Sequence, residues 1–421
     1  MEGRTPEPAR TQTFILAGGQ GERLQPLTVS RPKPAVSFGG MFRIIDFTLS
    51  NCLHSGLGRV ALLTQYKSEE LHRYVREGWW DLWSSTPSQR EPLVCVSPVS
   101  GKRYRGTADA VFQNAELLDS DSEFVLVLSG DHIYQMDYRE LLRRHVETNA
   151  DLSIATVEHP IRQASQFGVV EVDATFRVTG FEEKPPNPRS LPNEPSRALV
   201  SMGVYAFKKS VLVNTLRALC ESGRGSDFGR DIIPALIHSA RTYAYDFRNQ
   251  KQNTSAYWRD IGTVDAYYAA SMDLVRKDPL FDPYFNDNSP SIPTRHPTPP
   301  HALRARVHSN ARVAQSVLSP RVRIEAGAEI DGSVLLPGVR VGKGARIRRA
   351  IVEEGVEIPA GLHVGFDLNH DRRHHTVTES GVVVISQTPI SSRQTGLSLV
   401  FRNATMHAAK RTSVHSVPAI A

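Results

Sequence analysis

The chain has 421 residues, 40% hydrophobic and 22% charged, so it can bury a large core and is expected to hold two domains. No apolar run reaches the length of a membrane span and no basic-then-apolar leader opens the sequence, so a cytoplasmic protein is expected. The net charge of +6 comes from 50 Lys and Arg interleaved with 44 Asp and Glu, without an aromatic–basic module or a zinc pattern, which favours small phosphorylated ligands over nucleic acid.

Residues 1–12 carry no periodic pattern and are expected to be flexible. An apolar run at 14–17 then predicts a strand, which feeds a loop with Gly18, Gly19 and Gly21 and the cation Arg23. Lys33 follows between Pro32 and Pro34. Glycines let a backbone approach a ligand and turn its N–H groups toward phosphate oxygens, while Arg and Lys neutralise charge. The loop is not a Walker A motif, because no Gly-Lys-Ser/Thr follows, and Arg23 breaks the Rossmann spacing.

Further apolar runs at 60–64, 124–129, 152–157 and 199–207 predict strands, with helical patterns at 108–118 and 138–149 between them. The alternation predicts an α/β fold, Rossmann-like, with a mostly parallel sheet, helices on both faces and ligands at the carboxyl ends of strands. Asp131 falls at such an end, and Asp260, ahead of Gly262, is expected in a tight turn. Two aspartates from distant segments suit Mg²⁺, which takes one or two carboxylates plus phosphate oxygens and water. Cys52, Cys95 and Cys220 are few, odd in number and far apart, so they are read as buried small hydrophobes and not as a disulfide framework. Trp79, Trp80 and Trp83 are spaced to pack one helix face, and His363, His370, His374 and His375 are read as solvated surface groups.

From 276 to 306 prolines crowd the chain and predict a linker. A seventeen-residue repeat follows: Val307, Ile324, Val341 and Ile358; Val313, Ile330, Ile347 and Val364; Leu318, Leu335 and Val352. Gly327, Gly344 and Gly361 share that period, as do Gly338 and Gly355. Three apolar corners per coil predict a three-sided β-helix over 307–386, whose open ends favour pairing with another subunit. Beyond 387 the Ser-, Thr- and His-rich tail is expected to be disordered.

Nine segments, in order, resemble the sugar-nucleotide pyrophosphorylases, and among these the ADP-glucose pyrophosphorylases. They are Leu16-Ala-Gly-Gly-Gln-Gly-Glu-Arg-Leu24, Lys33-Pro-Ala-Val36, Phe42-Arg-Ile-Ile-Asp-Phe47 with Leu49-Ser-Asn51, and Tyr104-Arg-Gly-Thr-Ala-Asp-Ala-Val111. Then come Ser129-Gly-Asp-His-Ile-Tyr134, Phe181-Glu-Glu-Lys-Pro185, Ser201-Met-Gly203, Asp227-Phe-Gly229 and Tyr257-Trp-Arg-Asp-Ile-Gly262. The resemblance covers residues 13–386 and implies a nucleotidyltransferase domain at 13–275 followed by a left-handed parallel β-helix.

It also implies a reaction: ATP and glucose 1-phosphate give ADP-glucose and pyrophosphate for glycogen-type synthesis. The family's catalytic positions fall on Arg23, Lys33 and Asp131, and its Mg²⁺ pair on Asp131 and Asp260. ATP would be held by Leu16, Gly18, Gly19, Gly21, Arg23, Lys33, Gln65, Tyr104, Gly106 and Thr107, and glucose 1-phosphate by Tyr104, Gly168, Glu183, Lys184 and Ser201. A homotetramer joined through the β-helix and an allosteric sugar-phosphate or nucleotide effector are implied as well. Ser30 and Ser37 stand where many members carry cationic or other polar residues, so an effector would fall to Arg31, Arg43 and Arg348. Gln20 and Glu22 also depart from the commoner loop residues. A non-catalytic regulatory subunit and a pyrophosphorylase for another nucleotide sugar are the alternatives.

Overall fold

Alternate residues of the central strands point to opposite faces, and that alternation builds the core. The computed structural model describes residues 10–85, 93–99, 102–118, 121–249, 254–277, 283 and 305–387. Most of the proline-rich linker and all of the tail from 388 lie outside the described residues. Strands Thr11–Ala17, Arg59–Thr64, Phe124–Ser129 and Val94–Val96 run parallel. On the other edge Arg197–Lys208 pairs antiparallel with Phe124–Ser129 and carries Gly168–Val172, Val178–Glu183 and Leu152–Pro160 outward, with Thr242–Asp246 parallel beyond. Ile15, Leu62, Leu126 and Leu128 join one apolar cluster with Leu49, Leu71 and Leu141 from helices on that face. Phe14, Ala61, Leu63, Val125 and Val127 join another with Val111, Leu212 and Ile233.

Several boundaries differ from the sequence reading. The first strand opens at Thr11, not after residue 12, because Thr11 and Gln12 already pair with Phe124 and Val125 and are buried. The pattern at 108–118 breaks into a helix Thr107–Gln113 and a turn Ala115–Leu117. Asn114 separates them: its side-chain amide donates to the Ala110 carbonyl at 2.8 Å and to Tyr104 Oη at 3.0 Å. Helix Tyr138–Glu147 stops before Asn149, whose left-handed φ of 47° ends it. Trp79 and Trp83 are buried one helical turn apart, whereas Trp80 points away and is 51% exposed. Cys52 and Cys220 are buried, and Cys95 is half-buried.

The repeat is a left-handed parallel β-helix. One sheet stacks Arg306–Val307, Arg323–Ile324, Arg340–Val341 and Glu357–Ile358; the second stacks Arg312–Ala314, Glu329–Asp331, Arg346–Arg348 and His363–Val364. The third stacks Val317–Leu318, Val334–Leu335 and Ala350–Val352, and its next place is taken by Val383–Ile385, after an excursion through helix Leu368–Asp371. Glycines 327, 344 and 361 turn one corner with φ near 70°, and 338 and 355 another. The third corner, at Gln315, Gly332 and Arg349, is also left-handed, with only one glycine. Val307 is 43% exposed, since among the described residues no earlier coil covers it.

The coil packs on the α/β unit. Leu24, Leu27, Val36 and Ile44 share an apolar cluster with Val317, Val334, Leu336, Ile351 and Val382. Polar contacts flank it: Arg31 meets Glu354 at 2.6 Å, Tyr268 Oη donates to the Gly332 carbonyl at 2.6 Å, and Ser380 donates to Asp265 at 2.7 Å. Among the described residues, no helix is long and apolar enough to cross a membrane.

Candidate active site

The first strand ends at Ala17 beside Ser129, the end of its parallel neighbour, so the glycine loop and Asp131 leave the sheet at the same edge. Gly130 fits only without a side chain: an added Cβ would stand 2.9 Å from Ile15 Cγ2, and its N–H donates to the Leu16 carbonyl at 2.9 Å. Gly21, at φ 67°, lies against Thr28 and the Lys33 stem, which draws the loop over the short Lys33–Ala35 turn. That turn aims Lys33 inward.

Lys33 Nζ sits 2.8 Å from Asp131 Oδ2 and 2.9 Å from Asp260 Oδ1, and its side chain is 9% exposed. Burial alone would lower the lysine pKa, but the two carboxylates outweigh it and raise it, so the group is an ammonium at neutral pH. Burial pushes the Asp131 carboxyl up, and Lys33 with His132 overcomes it, bringing Asp131 down to about 2. Asp260 is in a strand, not the expected turn: Trp258–Asp260 pairs antiparallel with His132–Tyr134 and sets Asp260 opposite His132. A chain segment with partners on a neighbouring strand extends, whatever its own turn signals. The ligand atoms of Asp131, His132 and Asp260 lie within 4.8 Å of one another, a donor set that fits a divalent cation. Arg23 is exposed and borders the same group, since a Cβ on Gly262 would stand 3.4 Å from its Nη2 and 2.8 Å from Asp260 Oδ2.

On one side of this cluster lie the loop residues and their neighbours. Leu16 is half-buried at the strand end, Gly18 packs on Gln65, and Gly19 has open space around its α-carbon. Gln65 Oε1 accepts from the Tyr104 backbone N–H at 2.5 Å. Gly106 lies so close to the Ser226 carbonyl that a Cβ would meet it at 2.4 Å. The Thr107 hydroxyl donates to Asp227 Oδ2 and accepts from the Phe228 N–H, both at 3.0 Å, so it ties this wall to the opposite one.

The opposite wall holds Gly168, Glu183, Lys184 and Ser201. Glu183 Oε2 lies against both Gly168 and Gly229, neither of which has room for a side chain. Lys184, at a left-handed φ of 53°, turns its Nζ back to Glu183 Oε1 at 2.8 Å and is half-exposed. Ser201 opens a bulge in Arg197–Lys208; its hydroxyl donates to Tyr205 Oη at 3.2 Å and accepts from the Gly203 N–H. Sequence reasoning assigned no role to His132, Tyr205, Asp227 or Trp258, although three of them stand inside the quoted motifs and only their neighbours were selected. Of the three arginines expected at an effector site, Arg31 and Arg43 both approach Glu70, at 3.9 and 2.8 Å. Arg348 is set apart, 4.0 Å from Asp331.

The nucleotidyl transferase family profile matches residues 12–277, and a GlmU-like C-terminal hexapeptide profile matches 304–385. The chain is 48% identical over 275 residues to glucose-1-phosphate adenylyltransferase 2 of Alkalilimnicola ehrlichii, a match spanning 65% of each chain. It is 42% identical over 404 residues to the glucose-1-phosphate adenylyltransferase of Nitrosomonas europaea, spanning 89% of this chain and 92% of that one. The enzyme of that name from Anaeromyxobacter dehalogenans is 44% identical over 404 residues, spanning 90% and 97%.

Proposed function

We propose, for a chain that belongs to the glucose-1-phosphate adenylyltransferases of the nucleotidyl transferase family, that it transfers the adenylyl group of ATP to glucose 1-phosphate. The observation that carries this reading is the buried Lys33 ammonium between Asp131 and Asp260, packed against Gly21 of the glycine loop. A phosphate oxygen of the sugar phosphate attacks the α-phosphorus; that P–O bond forms as the bond to the β-phosphate bridging oxygen breaks, and pyrophosphate leaves. The barrier lies in bringing two polyanions together in line and in stabilising charge on the leaving group. Asp131 and Asp260 would hold Mg²⁺, which would supply positive charge to offset that of the phosphates.

The rest falls to the chain itself. Gly18, Gly19 and Gly21 let the backbone lie against the triphosphate, Arg23 and Lys33 neutralise it, and Leu16, Gln65, Tyr104, Gly106 and Thr107 enclose the adenine. Lys184 receives the phosphate of glucose 1-phosphate, while Glu183 accepts from sugar hydroxyls beside Gly168 and Ser201. We further assign catalysis to 13–275, a linker to 276–306 and tetramer assembly to the coil at 307–386, in a cytoplasmic enzyme. The junction around Arg31 and Arg43 is the assigned effector site for a sugar phosphate or nucleotide.

Pyrophosphate release by the purified protein with Mg²⁺ and glucose 1-phosphate, comparing ATP, UTP, dTTP and GTP, tests the reading. ATP should be strongly preferred. Preference for another nucleotide would reassign the base, and no release with any of them, sugar-phosphate effectors included, would point to a regulatory subunit.

A further inference from the structure

We infer that His132 Nε2 is a direct nitrogen ligand of the cation held by Asp131 and Asp260, an inference that rests on the adenylyl-transfer reading for the presence of that ion. His132 faces Asp260 in register across the two-stranded ribbon. Its Nε2 stands 3.5 Å from Asp131 Oδ1 and 3.6 Å from Asp260 Oδ1. The other ring nitrogen, Nδ1, lies 3.0 Å from the Met202 carbonyl oxygen. A carbonyl only accepts, so Nδ1 carries a proton, and Nε2 is the ring nitrogen left to face the carboxylates and an ion between them. Metal-binding histidines usually make this outer hydrogen bond to a carbonyl or carboxylate, which fixes both tautomer and ring orientation. Here the ring is also held edge-on to Trp258, with centroids 5.2 Å apart and planes at 82°, and it is 13% exposed.

Two carboxylates and an imidazole make an O,O,N set. Mg²⁺ takes oxygen donors almost exclusively, whereas imidazole suits first-row transition ions such as Fe²⁺, Ni²⁺ and Zn²⁺, a series that Mn²⁺ opens. On this reading the site binds Mn²⁺ more tightly than Mg²⁺.

The test is pulsed EPR on the full chain with Mn²⁺ and inorganic pyrophosphate, a ligand that contains no nitrogen. Wild type should show ¹⁴N modulation that converts to the ¹⁵N pattern when histidine is ¹⁵N-labelled. His132→Asn keeps an amide N–H near the Nδ1 position, so the Met202 bond survives, while the Nε2 donor is lost. That variant should lose the modulation and bind Mn²⁺ about tenfold more weakly or worse. Modulation that persists in His132→Asn belongs to another imidazole and overturns the inference, as does unchanged Mn²⁺ affinity. Mn²⁺ binding that depends on Asp131 but shows no nitrogen coupling in wild type overturns the His132 role and leaves the cation site standing. If wild type binds no Mn²⁺ under these conditions, both fall.

Discussion

Replacing Lys33 by Met removes the one ammonium that Asp131 and Asp260 share and keeps an apolar stem in its place. The lysine side chain is 9% exposed and the carboxylates are 32% and 16% exposed, so water screens the group only in part. Stripping the partner from a buried charge costs about 3–5 kcal/mol, and the partial exposure of Asp131 puts the expectation at the low end, about 3 kcal/mol. In a unit of this size each kcal/mol moves the midpoint by about 2 °C, so the metal-free variant should melt about 6 °C below wild type. The pH dependence adds a signature. Asp131 stands at about 2 against an ordinary 3.8, so its contribution is complete above 3.8 and is lost as pH falls through 2. Without Lys33, burial is no longer outweighed at Asp131, and its carboxyl takes up a proton at higher pH. The deficit should therefore shrink between about pH 7 and pH 5. Scanning fluorimetry in EDTA at both pH values, and again with a divalent cation, reads all of this; the cation should restore most of the lost stability. A variant that melts within about 1 °C of wild type in EDTA at neutral pH would refute the reasoning, because the ammonium would then not be what holds the carboxylates together.

Lys184→Ala should raise the KM for glucose 1-phosphate about ten- to hundredfold with a smaller change in kcat, matching the loss of one charge-assisted hydrogen bond of about 1.5–3 kcal/mol. Steady-state kinetics with saturating ATP measures it, and an unchanged KM would remove Lys184 from the sugar-phosphate wall. His145 is buried beside Ser153, with its Nε2 unpaired. Burial lowers its pKa to about 4, Lys208 helping and Asp151 opposing. A depressed histidine contributes stability above about 6.5 and loses it as pH falls toward 4, so wild type should give up about 2 kcal/mol between pH 7 and 5. His145→Asn should flatten that slope in urea titrations at the two pH values. At Gly365, φ is 85° and an added Cβ would meet the Arg348 carbonyl oxygen at 1.8 Å. Gly365→Ala should destabilise the coil by about 3 kcal/mol, seen as a lowered melting midpoint, and a neutral result would disprove the close stacking of successive coils there.

How much of this was legible in the sequence follows from the range of each interaction. The strands at 14–17 and 124–129 were readable because each is a short apolar run bounded by glycine or polar residues, although the start at Thr11 was not. The coil was readable because apolar corners recur every seventeen residues and two of its three turns are marked by glycine. The third turn was hidden, since Gln315 and Arg349 adopt a left-handed backbone that their residue types do not advertise. The residues of the glycine loop and of the Glu183–Lys184 wall could be named from their motifs, but not where their side chains end. Lys33 and Asp260 are 227 positions apart, and nothing local to either says that one ammonium will bridge Asp260 and Asp131. Asp260 becomes a strand residue only because His132–Tyr134 offers it a partner, and His132 joins the cluster through that same pairing. Arg31 meets Glu354 only once the coil has packed on the α/β unit. Local periodicity and backbone chemistry thus determined the elements. The site was decided by tertiary packing, because burial and electrostatic attraction act through space between groups that the chain keeps far apart.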